Sequence, residues 1–142
     1  MMKDRIRVVL ESPFNAKKPD GTKDEEGIRA NVEYAERMAR ISTELGEAPF
    51  ASHLFYTRFL DDFVAEERRA GIESGLTWQA AADLVVVCTD RGISPGMREG
   101  VKNAEDLGIP VIYRSINETR EQMLERRAAV VQAAAVRSVA AI

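Results

Sequence analysis

The chain reads as a doubly wound parallel α/β protein, and three observations carry that reading. Apolar runs of strand length alternate with helix-length segments along the 142 residues. One run, Leu84-Val85-Val86-Val87-Cys88, is apolar at every position, which in a strand means burial on both faces and a central place in a parallel sheet. The resulting β-α-β-α-β-α-β order, with connections long enough for right-handed crossovers, covers the sheet with helices. With 45% apolar and 30% charged residues, the chain can bury one ordinary core and not two.

Taken in order, Ile6-Arg7-Val8-Val9-Leu10 is a β-branched run stopped at Glu11-Ser12-Pro13, because proline cannot donate to a ladder. Asn15 to Gly27 is charged, has turn chemistry at Pro19-Asp20-Gly21 and shows no periodicity, which predicts a mobile loop. Ile28 to Leu45 sets Val32, Ala35, Ala39 and Ser42 on one stripe beside Met38 and Ile41, with Gly46 as the stop, and predicts a helix. Ala48-Pro49-Phe50-Ala51 is a weak strand whose proline suits an edge, and Ser52-His53-Leu54-Phe55-Tyr56 reads as a loop. Glu66 to Ala82 turns helical again despite Gly71 and Gly75, each costing about 1 kcal/mol relative to alanine. After the central strand, Thr89 to Gly96 loops into a helix from about Met97 to Leu107 closed by Gly108, and Ile109 to Tyr113 is the last strand.

The segment from residue 116 onward stands apart from a first domain of residues 1–115. Leu124, Ala128, Val131 and Ala135 recur at helical steps. A helix of roughly 26 residues at about 1.5 Å each would approach 39 Å, more than so small a domain covers. Part of it is expected to pack on another subunit, making the chain a homo-oligomer; a frayed alanine-rich tail is the other reading. The formal charge of -3 lacks the basic excess of a duplex-binding protein. No apolar run reaches a membrane span, and Met1 to Arg7 lacks a secretory apolar core. The cytoplasm is the expected compartment. One histidine and one cysteine are too few for a zinc cluster, so no metal or cofactor is expected.

Sheets of this kind bind ligands at the carboxyl ends of their strands, which brings Glu11 to Asn15, Ser52 to Asp62 and Thr89 to Glu99 to one rim. Ser94 is a natural N-cap, Pro95 fits a first turn, and Gly96 and Met97 follow. This is either a plain capping turn or an anion site built on the helix's free N–H groups, and its place on the rim favours the anion site. Ser12 offers a hydroxyl and Phe14 a stacking face, although a strand-ending Ser-Pro is common in loops. Asp61, Asp62, Glu66 and Glu67 are candidate carboxylates for glycosidic chemistry or complements to a helix dipole. His53 either bonds a ligand or caps its loop, the second being favoured. Arg91 and Arg98 flank the turn and could pair with an anion. Tyr56, Phe55 and Trp78 read as core or pocket lining, and Cys88 as a buried hydrophobe without a catalytic role.

Glu11-Ser12-Pro13-Phe14, Asn31, Ala48 to Leu54, Glu67-Arg68 and Asp90-Arg91-Gly92-Ile93-Ser94-Pro95-Gly96-Met97 together resemble the nucleoside 2-deoxyribosyltransferase-like superfamily. The likeness is closest to its small branch in phages and actinobacteria, and it covers about Arg5 to Ser115. It implies a flavodoxin-like, Rossmann-type sheet of four to five strands, a deoxynucleoside or nucleotide ligand, and oligomers whose sites borrow residues from a neighbour. It further implies cleavage or transfer of an N-glycosidic bond by a glutamate three residues past the glycine-hydrophobe step, with an aspartate on the second rim loop. Here that glutamate position is Gly100, and Glu99 comes one residue early, about 100° around a helix. The carboxylate is then expected from Glu99 with an altered helix start, or from Glu11, Asp62 or Glu67. The alternative is a binder that senses or sequesters a nucleotide without turning it over. Ser12, Pro13, Phe14, Asn31, His53, Asp61, Glu67, Asp90, Arg91 and Ser94 to Met97 are the expected ligand contacts.

Overall fold

A computed structural model describes residues 4–140, with side chains to Ala133. Four strands, β1 (Ile6–Glu11), β2 (Glu47–Phe50), β3 (Leu84–Cys88) and β4 (Val111–Arg114), form one parallel sheet in the order β2-β1-β3-β4. The helices are α1 (Glu25–Glu44), α2 (Ser52–Phe55) with a following 3-10 turn (Tyr56–Arg58), α3 (Ala65–Gln79), α4 (Pro95–Leu107) and α5 (Arg120–Ala140). The fold is flavodoxin-like, with four strands among the described residues. None of its helices is long and apolar enough to cross a membrane.

Alternation along the strands sends Val8, Leu10, Leu84, Val86, Cys88 and Ile112 to one face, where Tyr34 and Met38 of α1 pack on them. Val9 and Val85 face the other way, against Ala104 of α4. Burying each such aliphatic side chain contributes about 1.5–3 kcal/mol, and β3 is buried at all five positions. That is the core expected of the all-apolar run.

Several boundaries differ from the sequence expectation for identifiable reasons. The first long helix begins at Glu25, inside the segment expected to be a mobile loop, because Asp24 caps it by accepting from the Gly27 N–H at 3.0 Å. The rest of that segment closes on itself through a Lys17–Lys23 bridge and a Gly21 turn at φ 87°. The segment after β2 is a short helix and a 3-10 turn instead of a loop. Trp78 and Phe55, expected in the core or lining a pocket, are 57% and 51% exposed in an aromatic cluster on the outer surface. β4 starts two residues late, at Val111. Of the tail stripe, Ala135 and the end of the chain at Ile142 lie outside the described side chains, as do Met1 to Lys3 at the start.

A buried ionic cluster joins the two sheet edges under α1 and α5. Arg114 of β4 donates to both oxygens of Glu47 on β2 at 2.9 and 3.0 Å, and both residues are fully buried. Ser42 of α1 and Arg127 of α5 add bonds to the same carboxylate at 2.6 and 2.9 Å.

Candidate functional site

β1 and β3 are neighbours whose connections leave in opposite directions, and at such a switch point the outgoing loops separate and open a crevice. A cleft of about 560 Å³ occupies it. One wall is the end of β1 with Glu11, Ser12 and Phe14; a second is α2 and its 3-10 turn with His53, Tyr56 and Thr57. The start of α3 and the loop before it add Leu60, Asp62, Phe63, Glu67 and Arg68, and the opening of α4 adds Ser94 to Met97.

Glu11, the last residue of β1, shares the parity of Val9 and therefore projects toward α4. A Cβ built on Gly100 would stand 2.5 Å from its Oε1, far inside contact distance. The carboxyl from the strand thus fills the space that a side chain on the helix would take, and only glycine at 100 admits it. Burial pushes the carboxyl up, and the long bond from Gln79 Nε2 at 3.4 Å only partly opposes this, leaving it at about 8. At neutral pH Glu11 is chiefly a protonated acid.

Beside it the Ser12 hydroxyl lies 2.7 Å from His53 Nε2. Burial lowers the His53 imidazole to about 4, so it is neutral at pH 7 and a poor base. Its role toward Ser12 is to fix the hydroxyl's direction. α2 carries His53 close to α3 because Gly75 has no side chain: a Cβ there would meet Ser52 Oγ at 2.6 Å. Thr57 further ties the turn by donating to the His53 carbonyl.

At the other end, Ser94 Oγ accepts from the Met97 N–H at 3.2 Å, the Ser94 N–H faces the Met97 sulfur at 3.3 Å, and the Arg98 N–H bonds the Ser94 carbonyl. Pro95 has no N–H. The Gly96 N–H is therefore the free donor of this first turn among the described residues. The Arg68 guanidinium hangs 3.9 Å from the position of a Gly96 Cβ and donates to Asp62 at 3.0 Å. A half-positive helix end and a guanidinium converge there, an arrangement suited to an anion.

Other expected contacts do not line the cleft. Glu99 does not line the cleft; it forms an ion pair with Arg69 at 2.8 Å over an adjoining depression of about 210 Å³ that shares Ala65, Arg68, Ile72, Pro95 and Gly96 with it, consistent with its place one residue around the helix. Asn31 donates to the Phe14 and Asn15 carbonyls at 2.9 and 3.4 Å and accepts from Arg91 at 2.6 Å, so both residues shape the loop after β1. Pro13, in the same loop, is buried. Asp61 accepts from the Phe63 N–H at 2.9 Å. Asp90 joins α1 to the loop after β4, accepting from the Tyr34 and Ser115 hydroxyls at 2.6 Å each and from the Ile116 N–H at 2.9 Å. Arg68 enters the sequence reading only within the Glu67-Arg68 pair that carries the resemblance, and Lys17 and Gln79 carry no site signal there. Nothing in the local pattern marks a glutamine on α3 as a neighbour of β1. Among the described residues, no three His, Cys, Asp or Glu side chains are grouped to hold a metal.

Residues 6–114 match the family described as "Domain of unknown function (DUF7768)", and the chain belongs to it. No curated protein matches the sequence. Among solved structures, the chain is similar to a 2-deoxyribosyltransferase from the psychrotolerant bacterium Bacillus psychrosaccharolyticus. The TM-score is 0.54 at 18% identity, over 80% of this chain and 75% of that one. At that identity the likeness concerns the fold.

Proposed function

We propose that the cleft takes a deoxynucleoside monophosphate and cleaves or transfers its N-glycosidic bond, with Glu11 as the working carboxyl. The observation that carries this reading is the Glu11 carboxyl, a part of the cleft wall that is backed by Gly100 and supplies from the strand the group that helix α4 lacks. The fold shared with a 2-deoxyribosyltransferase supports it. The phosphate would sit at the Gly96 N–H and Arg68, the sugar over Ser12 and Glu11, and the base against Phe14, Tyr56 and Phe63. Asp62 then serves to aim Arg68, and the active chain self-associates through α5.

The chemistry follows from the protonation state. Neutral Glu11 gives its proton to the departing base as the C1′–N bond breaks and its electron pair leaves with the base. The carboxylate so formed faces the cationic, oxocarbenium-like sugar carbon and stabilises it. In hydrolysis a water adds to C1′ and returns one proton to Glu11; in transfer an incoming base takes the place of water. Both routes restore the starting acid.

Incubation with a panel of deoxynucleoside monophosphates, followed by chromatography, is expected to release free base, and Glu11→Gln to lower the rate by about 100-fold or more. No free base at high enzyme concentration, with calorimetric binding and the ligand recovered intact by mass, would reassign the cleft to binding alone.

A further inference from the structure

Gln79 is the last residue of α3 and is fully buried. Its amide has no freedom to turn over, because both ends are committed: Oε1 accepts from Asn103 Nδ2 at 2.7 Å, and Nε2 donates to the Gly100 carbonyl at 2.9 Å. Asn103 is itself anchored to the Leu76 carbonyl at 3.3 Å. Were the Gln79 amide reversed, its NH2 would confront another NH2 and its oxygen a carbonyl. The bonds to α4 therefore dictate that a donor, and not an acceptor, faces Glu11 Oε1.

We infer that Gln79, held by Asn103, is the positioning residue that orients the Glu11 carboxyl in the cleft and sets how firmly it keeps its proton. The inference rests on the role proposed for Glu11. A donor aimed at a carboxylate oxygen favours the ionised form, and burial favours the neutral one; Gln79 is the group that opposes burial at this site. Titratable and charged groups on the surrounding elements are His53 on α2 (reached through Ser12), Cys88 on the adjacent β3, and Lys17, Asp62, Glu67 and Arg68 around the cleft. Among the described residues none of these is hydrogen-bonded to the Glu11 carboxyl, which is set by burial against the Gln79 bond.

The test is direct titration of the Glu11 side-chain carboxyl by carbon-13 NMR in the full chain, which reads the proton whether or not base is released. Relative to wild type, Gln79→Met is expected to raise the midpoint by about half a pH unit, the worth of one modest hydrogen bond. Asn103→Ala, at a less buried position, frees the Gln79 amide and is expected to shift the midpoint the same way by less. If Gln79→Met does not fold, Asn103→Ala alone decides. An unmoved midpoint in the folded variants overturns the inference. Absence of turnover in wild type with a shifted midpoint would instead refute the enzymatic reading and leave the positioning role standing.

Discussion

A carboxyl held at about 8 where its ordinary value is 4.5 costs the fold stability above that ordinary value. Between those two values the native chain binds more protons at Glu11 than the unfolded chain does, so this residue's contribution falls as pH rises through that window. Glu11→Gln, which keeps the shape without the charge, is expected to raise the melting temperature, little at pH 5 and most at pH 8 to 9, where the gain is on the order of 1 kcal/mol or more. Thermal melts across pH check this; equal effects at both ends would mean the carboxyl is ionised in the native state. For activity, Glu11 must hold its proton and His53 must be neutral, so the expected rate plateau lies between about 4 and about 8. Gly100→Ala brings a Cβ into the Glu11 oxygens and is expected to displace the carboxyl and abolish turnover. Ser94→Ala and Gly96→Val are expected to weaken deoxynucleoside monophosphate binding by about 1 kcal/mol or more, read by calorimetry. Some of this site is legible in the sequence: the strand-ending Glu11-Ser12 and the capping turn at Ser94 are local patterns whose chemistry is written in adjacent residues. Gln79 is not, because its importance comes from which distant segment it meets. Gly100 is legible only as an absence until Glu11 is seen to fill it.

At the scale of elements, the central strand was readable to the residue because burial on both faces leaves no polar position to blur its ends. The start of helix α1 is not legible in the sequence because the periodic stripe begins after the cap. Asp24, which determines the first turn, looks like one more charge in a charged run. The short α2 is illegible because four residues are too few to show a period, and its close seat against Gly75 of α3 is a contact between distant segments. Least legible was the Glu47–Arg114–Arg127 cluster, whose members come from β2, β4 and α5. Burial works to raise the Glu47 carboxyl, but bonds from Arg114, Ser42 and Arg127 outweigh it and hold it below its ordinary 4.5. Its contribution is therefore present above about 4.5 and is lost as pH falls through the lowered native value. Glu47→Ala leaves Arg114 charged and buried without its partner and is expected to cost about 3–5 kcal/mol in denaturant unfolding. Arg127→Ala removes only the partly exposed member and is expected to cost about 1 kcal/mol. Similar losses for the two would show that the Arg114 pair is not the element that joins the sheet edges.

At the scale of the whole molecule, the question is what the last helix covers. In α5 Met123 is buried, Leu124 and Arg127 are partly so, and Val130 packs against the core. From Val131 to Ala133 the described side chains are exposed, Val131 by 40%. A helix of 21 residues spans about 31 Å at 1.5 Å per residue, and among the described side chains the core engages it as far as Val130. An alanine- and valine-rich helix gains little from standing in water, since its stability depends on burying an apolar face. A second copy of the chain would offer that burial. The expected outcome is a dimer or larger species in sedimentation velocity at micromolar concentration, and a monomer for a chain ended after Ala133, which keeps Arg127 and Val130 and so keeps the fold. A full-length chain that sediments as a monomer at every concentration would sink the proposed self-association and return the helix to a solvent-facing tail, without touching the cleft, whose walls all come from residues before 98.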